Sequence, residues 1–146
     1  MERPAIGKTL VFVGAGLVVG YLVWRLAPEY FKAEEDPRLR EVLNEVAAEI
    51  NRSVPVMIDR ETELLPAVAA DGMLIYNYRL INFSTAQLDH AKFAAAATQQ
   101  VTQGACNAPE TRDGLLKKGV TLRYAYHDKD KQPIATVDVK PSDCGL

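Results

Sequence analysis

Hydrophobic and polar positions divide this chain into two unequal parts. From Thr9 to Trp24 runs an uncharged, predominantly apolar stretch of 16 residues. It reaches 19 if it continues through Arg25 and Leu26 to Ala27. A helix crossing the bilayer core takes about 20 mostly apolar residues, with a lower limit near 17. An arginine near its end can extend its guanidinium to the headgroups. The pattern predicts a single transmembrane helix within residues 1–27, a charged juxtamembrane linker over 28–36 and one water-facing domain over 37–146. The alternative is a cleaved signal peptide. Arg3 and Lys8 suit its basic start, but Arg25 and Pro28 around Ala27 spoil the small-x-small exit it needs. No cysteine closely follows the run, which excludes a lipoprotein.

Beyond the linker the periodicity changes. Leu39, Val42, Leu43, Val46 and Ile50 recur at helical spacing behind Asp36-Pro37, a cap followed by a proline suited to the first turn. Pro55 ends that helix near Asn51–Ser53. Val54 to Asp59 reads as a short strand. Thr62 to Leu65 continues it after a break, and Pro66 marks an edge or an end. Asp71-Gly72 is a turn dipeptide opening the strongest strand, Met73 to Phe83. Leu74, Tyr76, Tyr78 and Leu80 share one of its faces, Asn77 and Arg79 the other. Ser84 and Gln87 have capping-box spacing, starting an alanine-rich helix that runs to about Gln103 and stops at Gly104. A short helix over about Pro109–Lys118 closes at Gly119. The strand Val120 to His127 alternates again, the run Asp128–Gln132 is a polar turn, and Pro133 to Val139 is the last strand. The order α-β-β-α-(α)-β-β predicts an α+β domain, a four-stranded antiparallel sheet with helices on one face.

Charge narrows the partners. Setting aside Arg3, Lys8, Arg25 and Glu2 leaves 14 basic against 18 acidic residues, about −4 for the soluble part. That argues against nucleic acid. Basic residues flank the apolar run almost equally, so the positive-inside count does not orient it. The two cysteines, Cys106 and Cys144, both lie in the soluble part. As a disulfide they favour an oxidising compartment, hence a cytoplasmic N-terminus and a periplasmic domain. The other reading is two unrelated buried thiols. Within the helix, Gly16 and Gly20 form a GxxxG pair, which would allow self-association; a passive anchor is the alternative.

Candidate chemistry is sparse. A Cys106 nucleophile would need His127 or His90 as base and a third group to orient it. The two histidines lie far apart with no metal-ligand spacing, so no metal or cofactor is expected. His90 lies near the Ala86–Phe93–Ala97–Val101 stripe, where a satisfied, partly buried histidine is expected. Asp128-Lys129-Asp130 resembles half a calcium loop but lacks the glycine and closing glutamate, and reads as a solvated turn. Asp59 ends an apolar run and could pair with Arg79 or Arg123; the sharper alternative makes it a ligand-binding carboxylate. The Tyr-x-Tyr pairs are expected on the apolar face, their hydroxyls reaching the rim.

Taken together, Pro55-Val56-Met57-Ile58-Asp59, Thr62, Leu64, the pairs Tyr76/Tyr78 and Tyr124/Tyr126, Gly119, Cys106 and Cys144 resemble the pattern of a group of small membrane-anchored envelope proteins of Gram-negative bacteria. The resemblance spans most of residues 50–146. It implies an envelope location and assigns no catalytic residue. The helix-and-hairpin order is also similar at fold level to PepSY-type and β-lactamase-inhibitor-like modules, which bind proteins. The expectation is a single-pass inner-membrane protein in contact with the lipid bilayer. It would be non-catalytic, an accessory or assembly subunit whose partner is another envelope protein or membrane complex. The alternative is an extracytoplasmic small-ligand sensor.

Overall fold

The computed structural model describes residues 36–146. The apolar run, the Gly16/Gly20 pair and nearly all of the linker lie outside the described residues. Within them no helix is long and apolar enough to cross a membrane.

Helix α1 spans Pro37–Asn51, with the Asp36 carboxylate accepting from the Arg38 N–H. Its apolar stripe buries Leu43 and Ala47. Three strands follow: β1 (Val56–Met57), β2 (Thr62–Ala70) and β3 (Met73–Leu80). Asp71 and Gly72 turn the β2–β3 hairpin with φ of 51° and 71°, a conformation glycine and aspartate tolerate. Helices α2 (His90–Asn107) and α3 (Pro109–Gly114) come next, then β4 (Thr121–His127) and β5 (Pro133–Val139). Gly119, at φ 84°, closes the turn before β4, where the sequence places it.

The domain is α+β, but the sheet is not four-stranded and antiparallel. It has five strands in the order β1-β2-β3-β4-β5, and β3 pairs with β4 in parallel. A hairpin cannot make a parallel pair; a long crossover is required, and α2 with α3 supplies it. The extra strand arises because Val56–Met57 and Thr62–Ala70 fold back on each other. Pro66 does not end β2, but it does stand at a local edge, since β1 pairs only with Glu63 and Leu64 and leaves β2 without an outer strand there. It sits where the β2–β3 register shifts between Leu65 and Val68, a bulge at which its missing N–H costs no ladder bond.

Two helix boundaries also move. The Ser84–Gln87 box closes a separate 3-10 turn, Thr85–Gln87, with the Gln87 side chain accepting from the Ser84 N–H at 2.9 Å. The long helix starts at His90, capped by the Asp89 carboxylate, which accepts from the Lys92 N–H. It then runs straight through Gly104. Helix continuation there places Cys106 in the last turn, where it bonds Cys144.

The core lies on one face of the sheet. Leu74 on β3, Leu122 and Tyr124 on β4, and Val137 and Val139 on β5 are buried there with Leu43, Ala47, Ala97 and Ala105 from the helices. Helix α1 lies over β2 and α2 over β5. Both helices cover this one face, as alternation on the strands requires.

Candidate functional site

Between the two helices, on central strands β3 and β4, stand Tyr76, Tyr78, Tyr124 and Tyr126. The parallel register sets Tyr76 beside Tyr124 and Tyr78 beside Tyr126. Their rings stack across the strands, each pair with centroids 5.2 Å apart. Phe93 of α2 meets Tyr126 edge-on at 5.1 Å. Burial pushes the pKa of all four phenols up, and the charge of Asp59 pushes that of Tyr126 up further. They stay neutral at physiological pH and work as packing, in the place the alternation predicts.

At the β1 edge of the sheet the surface is different. Val56, Met57 and Ile58 are 41%, 45% and 52% exposed, three consecutive large apolar side chains open to solvent. Strand β1 is terminal in the sheet, so its outer backbone edge is unpaired within the sheet. A contiguous apolar edge of this kind is uncommon on a surface that meets only water. Beside it a cleft of about 580 Å³ opens between the β1–β2 turn and the start of α2, walled by Leu80, Phe83, Leu88 and Phe93.

The sequence-predicted residues separate into three groups. Cys106 and Cys144 are brought together as a disulfide, with Cα atoms 5.3 Å apart, tying the end of α2 to the C-terminal 3-10 turn. No thiol remains among the described residues to act as a nucleophile. Asp59, Arg79 and Arg123 are not brought together. Arg79 bridges Glu63 directly opposite it on β2 at 2.6 Å. Arg123 makes a two-pronged bridge to Asp138 on β5, at 2.7 and 2.8 Å. Both pairs occupy the face opposite the tyrosines, whereas Asp59 lies in the β1–β2 turn beside Tyr126. Its Oδ1 accepts the N–H groups of Glu61 and Thr62, each at 2.8 Å. The Glu61 N–H leads in holding this carboxyl below its ordinary ionisation range; the Thr62 hydroxyl and N–H add to it against desolvation. The third group, Gly16 and Gly20, lies outside the described residues.

His90 is exposed at the start of α2, Nε2 3.1 Å from the Thr85 carbonyl oxygen. His127 sits across from Arg79 on the polar face. Among the described residues no cluster of His, Cys, Asp and Glu is arranged to hold a metal ion.

Two polar residues escape a reading of the sequence. Asp128, in the supposedly solvated turn, is 1% exposed. Its Oδ1 accepts from the Asp130 and Gln132 N–H groups and its Oδ2 from the Thr85 N–H. Desolvation works to raise its pKa, but the N–H groups of Gln132, Thr85 and Asp130, with the Thr85 hydroxyl, outweigh it and lower the value. Asn51, the last residue of α1, donates from Nδ2 to the Ala67 carbonyl at 2.9 Å and accepts the Ala67 N–H at 2.7 Å. Its amide stands in for a peptide unit where the β2 bulge interrupts the ladder. An Asp-x-Asp at a hairpin and an asparagine ending a helix are faint signals of such roles.

Comparison with known proteins follows from this fold. No curated protein matches the chain by sequence. Three solved structures share its architecture. A putative secreted protein from Pseudomonas aeruginosa superposes with a TM-score of 0.65 at 21% identity, covering 77% of this chain and 97% of that one. The pilotin of the Vibrio vulnificus type 2 secretion system gives 0.60 at 12% identity, covering 73% and 92%. The type II secretion system pilotin from Vibrio cholerae gives 0.60 at 18% identity, covering 77% and 97%. At these identities the likeness is one of fold. A family model matches residues 32–145, nearly all of the described domain, and the chain belongs to the family described as putative quorum-sensing-regulated virulence factor.

Proposed function

We propose that this protein is a membrane-anchored, non-catalytic interaction module of the bacterial envelope, an accessory or assembly subunit of a secretion-type complex. The observation that carries the reading is the exposed apolar run Val56–Ile58 on an unpaired sheet edge beside an aromatic cleft. Such an edge can add a strand or an apolar segment from a partner, with backbone hydrogen bonds giving affinity and side-chain pockets giving selectivity. The fold shared with two type II secretion pilotins favours a partner of that kind of apparatus. The disulfide favours the periplasm, and the apolar run Thr9–Trp24 favours retention at the inner membrane with the N-terminus inside.

The test is recovery of partners. Full-length protein solubilised in mild detergent from its native host should carry type II secretion components with it. Met57→Lys together with Ile58→Lys should remove them while leaving the melting temperature nearly unchanged, since both side chains are exposed. Recovery of the same partners by the double variant would overturn the edge as the interface. Absence of secretion components from the wild-type preparation would overturn the kind of complex.

A further inference from the structure

The cleft beside β1 continues inward. A smaller hollow of about 140 Å³ adjoins it, and Asp59, Thr62, Leu80 and Phe93 border both. The outer part adds the ring of Phe83, the inner part the ring of Tyr126. Three aromatic residues, Phe83, Phe93 and Tyr126, therefore line the two hollows that Asp59 borders. Arg60 and Glu61 also border the outer part; they are exposed, as Asp59 is, and opposite in charge, so the net charge of the lining is that of Asp59. Gln100 adds an uncharged amide to the inner part.

Asp59 is fixed in place by the two N–H groups its Oδ1 accepts. Among the described residues no lysine, arginine or histidine forms an ion pair with it. The carboxylates on strands β2 and β5 have theirs: Glu63 meets Arg79 and Asp138 meets Arg123. A held, unpaired carboxylate at the junction of two hollows, with aromatic walls on both sides, has the chemistry of a cation site. The carboxylate supplies the counter-charge and the rings supply apolar contact.

We infer that this cleft binds a cation carried on an apolar stem, an alkylammonium or alkylguanidinium group whose charge meets Asp59 and whose stem lies against Phe83, Phe93 and Tyr126. The group comes either from a free amine or from a basic side chain of a polypeptide. Ile58 of the apolar edge borders the inner hollow, so the site adjoins the proposed docking edge, but small probes test it with no protein partner present.

The experiment follows the amide resonances of full-length, isotope-labelled protein in nonionic detergent. The probes are n-butylammonium, n-butanol, butyrate and the blocked peptide acetyl-Ala-Lys-Ala-amide. At least one cationic probe should give saturable shifts at Thr62, Phe93 and Tyr126. The same-length alcohol should bind at least about tenfold more weakly, and butyrate not at all. The tighter of the two cationic probes identifies the source. Asp59→Asn keeps the oxygen that accepts the turn N–H groups and should weaken both cationic probes at least about tenfold. Failure of both to saturate, equal binding of butanol and butylammonium, or unchanged binding to a folded Asp59→Asn protein would each overturn the inference. The alcohol comparison uses wild-type protein and decides the matter if the variant does not fold.

Discussion

At the scale of single residues, two polar side chains hold the domain's irregular places. Asn51→Ala removes the partner of both backbone groups of Ala67, a residue only 4% exposed. Leaving buried backbone groups unpaired costs about 1–3 kcal/mol, so denaturant melts should show a loss of that order. A loss within error would mean that water replaces the amide. Asp128 predicts a dependence on pH. Its pKa in the folded protein lies below the ordinary value near 3.8. A carboxyl lowered on folding stabilises fully above its unfolded value and loses that contribution as pH falls through the folded one. Melting temperature measured from pH 7 down to pH 2 should therefore fall more steeply in wild type than in Asp128→Ala, which starts lower. Parallel curves would contradict the burial of an ionised group there. Neither residue was legible in advance. The role of Asn51 depends on a bulge in another strand, and that of Asp128 on a loop 43 residues earlier in the chain. The tyrosines were legible, because period-two alternation alone assigns them a face. The pairing of Asp59 was not: alternation puts Arg79 and Arg123 on the other face, opposite carboxylates of their own.

At the scale of elements, periodicity located the helices and most strands but not their ends or pairings. Gly104 and the Ser84–Gln87 box are local signals that can be satisfied in more than one way. A glycine is tolerated inside a helix anchored by a crosslink in its last turn, and a capping box closes a 3-10 turn as well as a long helix. Parallel pairing of β3 with β4 leaves no local mark, since it is decided by the crossover between them. The staple between α2 and the C-terminal turn was legible from two cysteines in one domain, and it makes a simple prediction. Opening a loop closed across 38 positions should cost about 4 kcal/mol in the chain-entropy model. Cys106→Ser and Cys144→Ser should lose the same amount, because either change opens the same loop. Unequal losses, beyond the difference between the two local environments, would show that one sulfur has a second role.

At the scale of the whole molecule, placement relative to the membrane is tested by a reporter fused after Leu146, expected to be active only outside the cytoplasm. Activity of a cytosolic reporter there would overturn the periplasmic assignment. The sheet itself has a seam. Strands β2 and β3 meet across a tight turn, and β4 and β5 likewise, whereas Met73 finds Thr121 48 positions away. Closing so long a loop costs about 2 kcal/mol more chain entropy than closing a hairpin. Hydrogen-exchange pulse labelling during refolding should show both hairpins protected before the β3–β4 ladder; simultaneous protection would refute this order. Until the seam closes, Met73–Leu80 presents an unpaired, half-apolar edge on a nearly formed hairpin. The chain is then most open to association with another copy of itself, and the speed with which α2 swings β4 into register sets how long that exposure lasts.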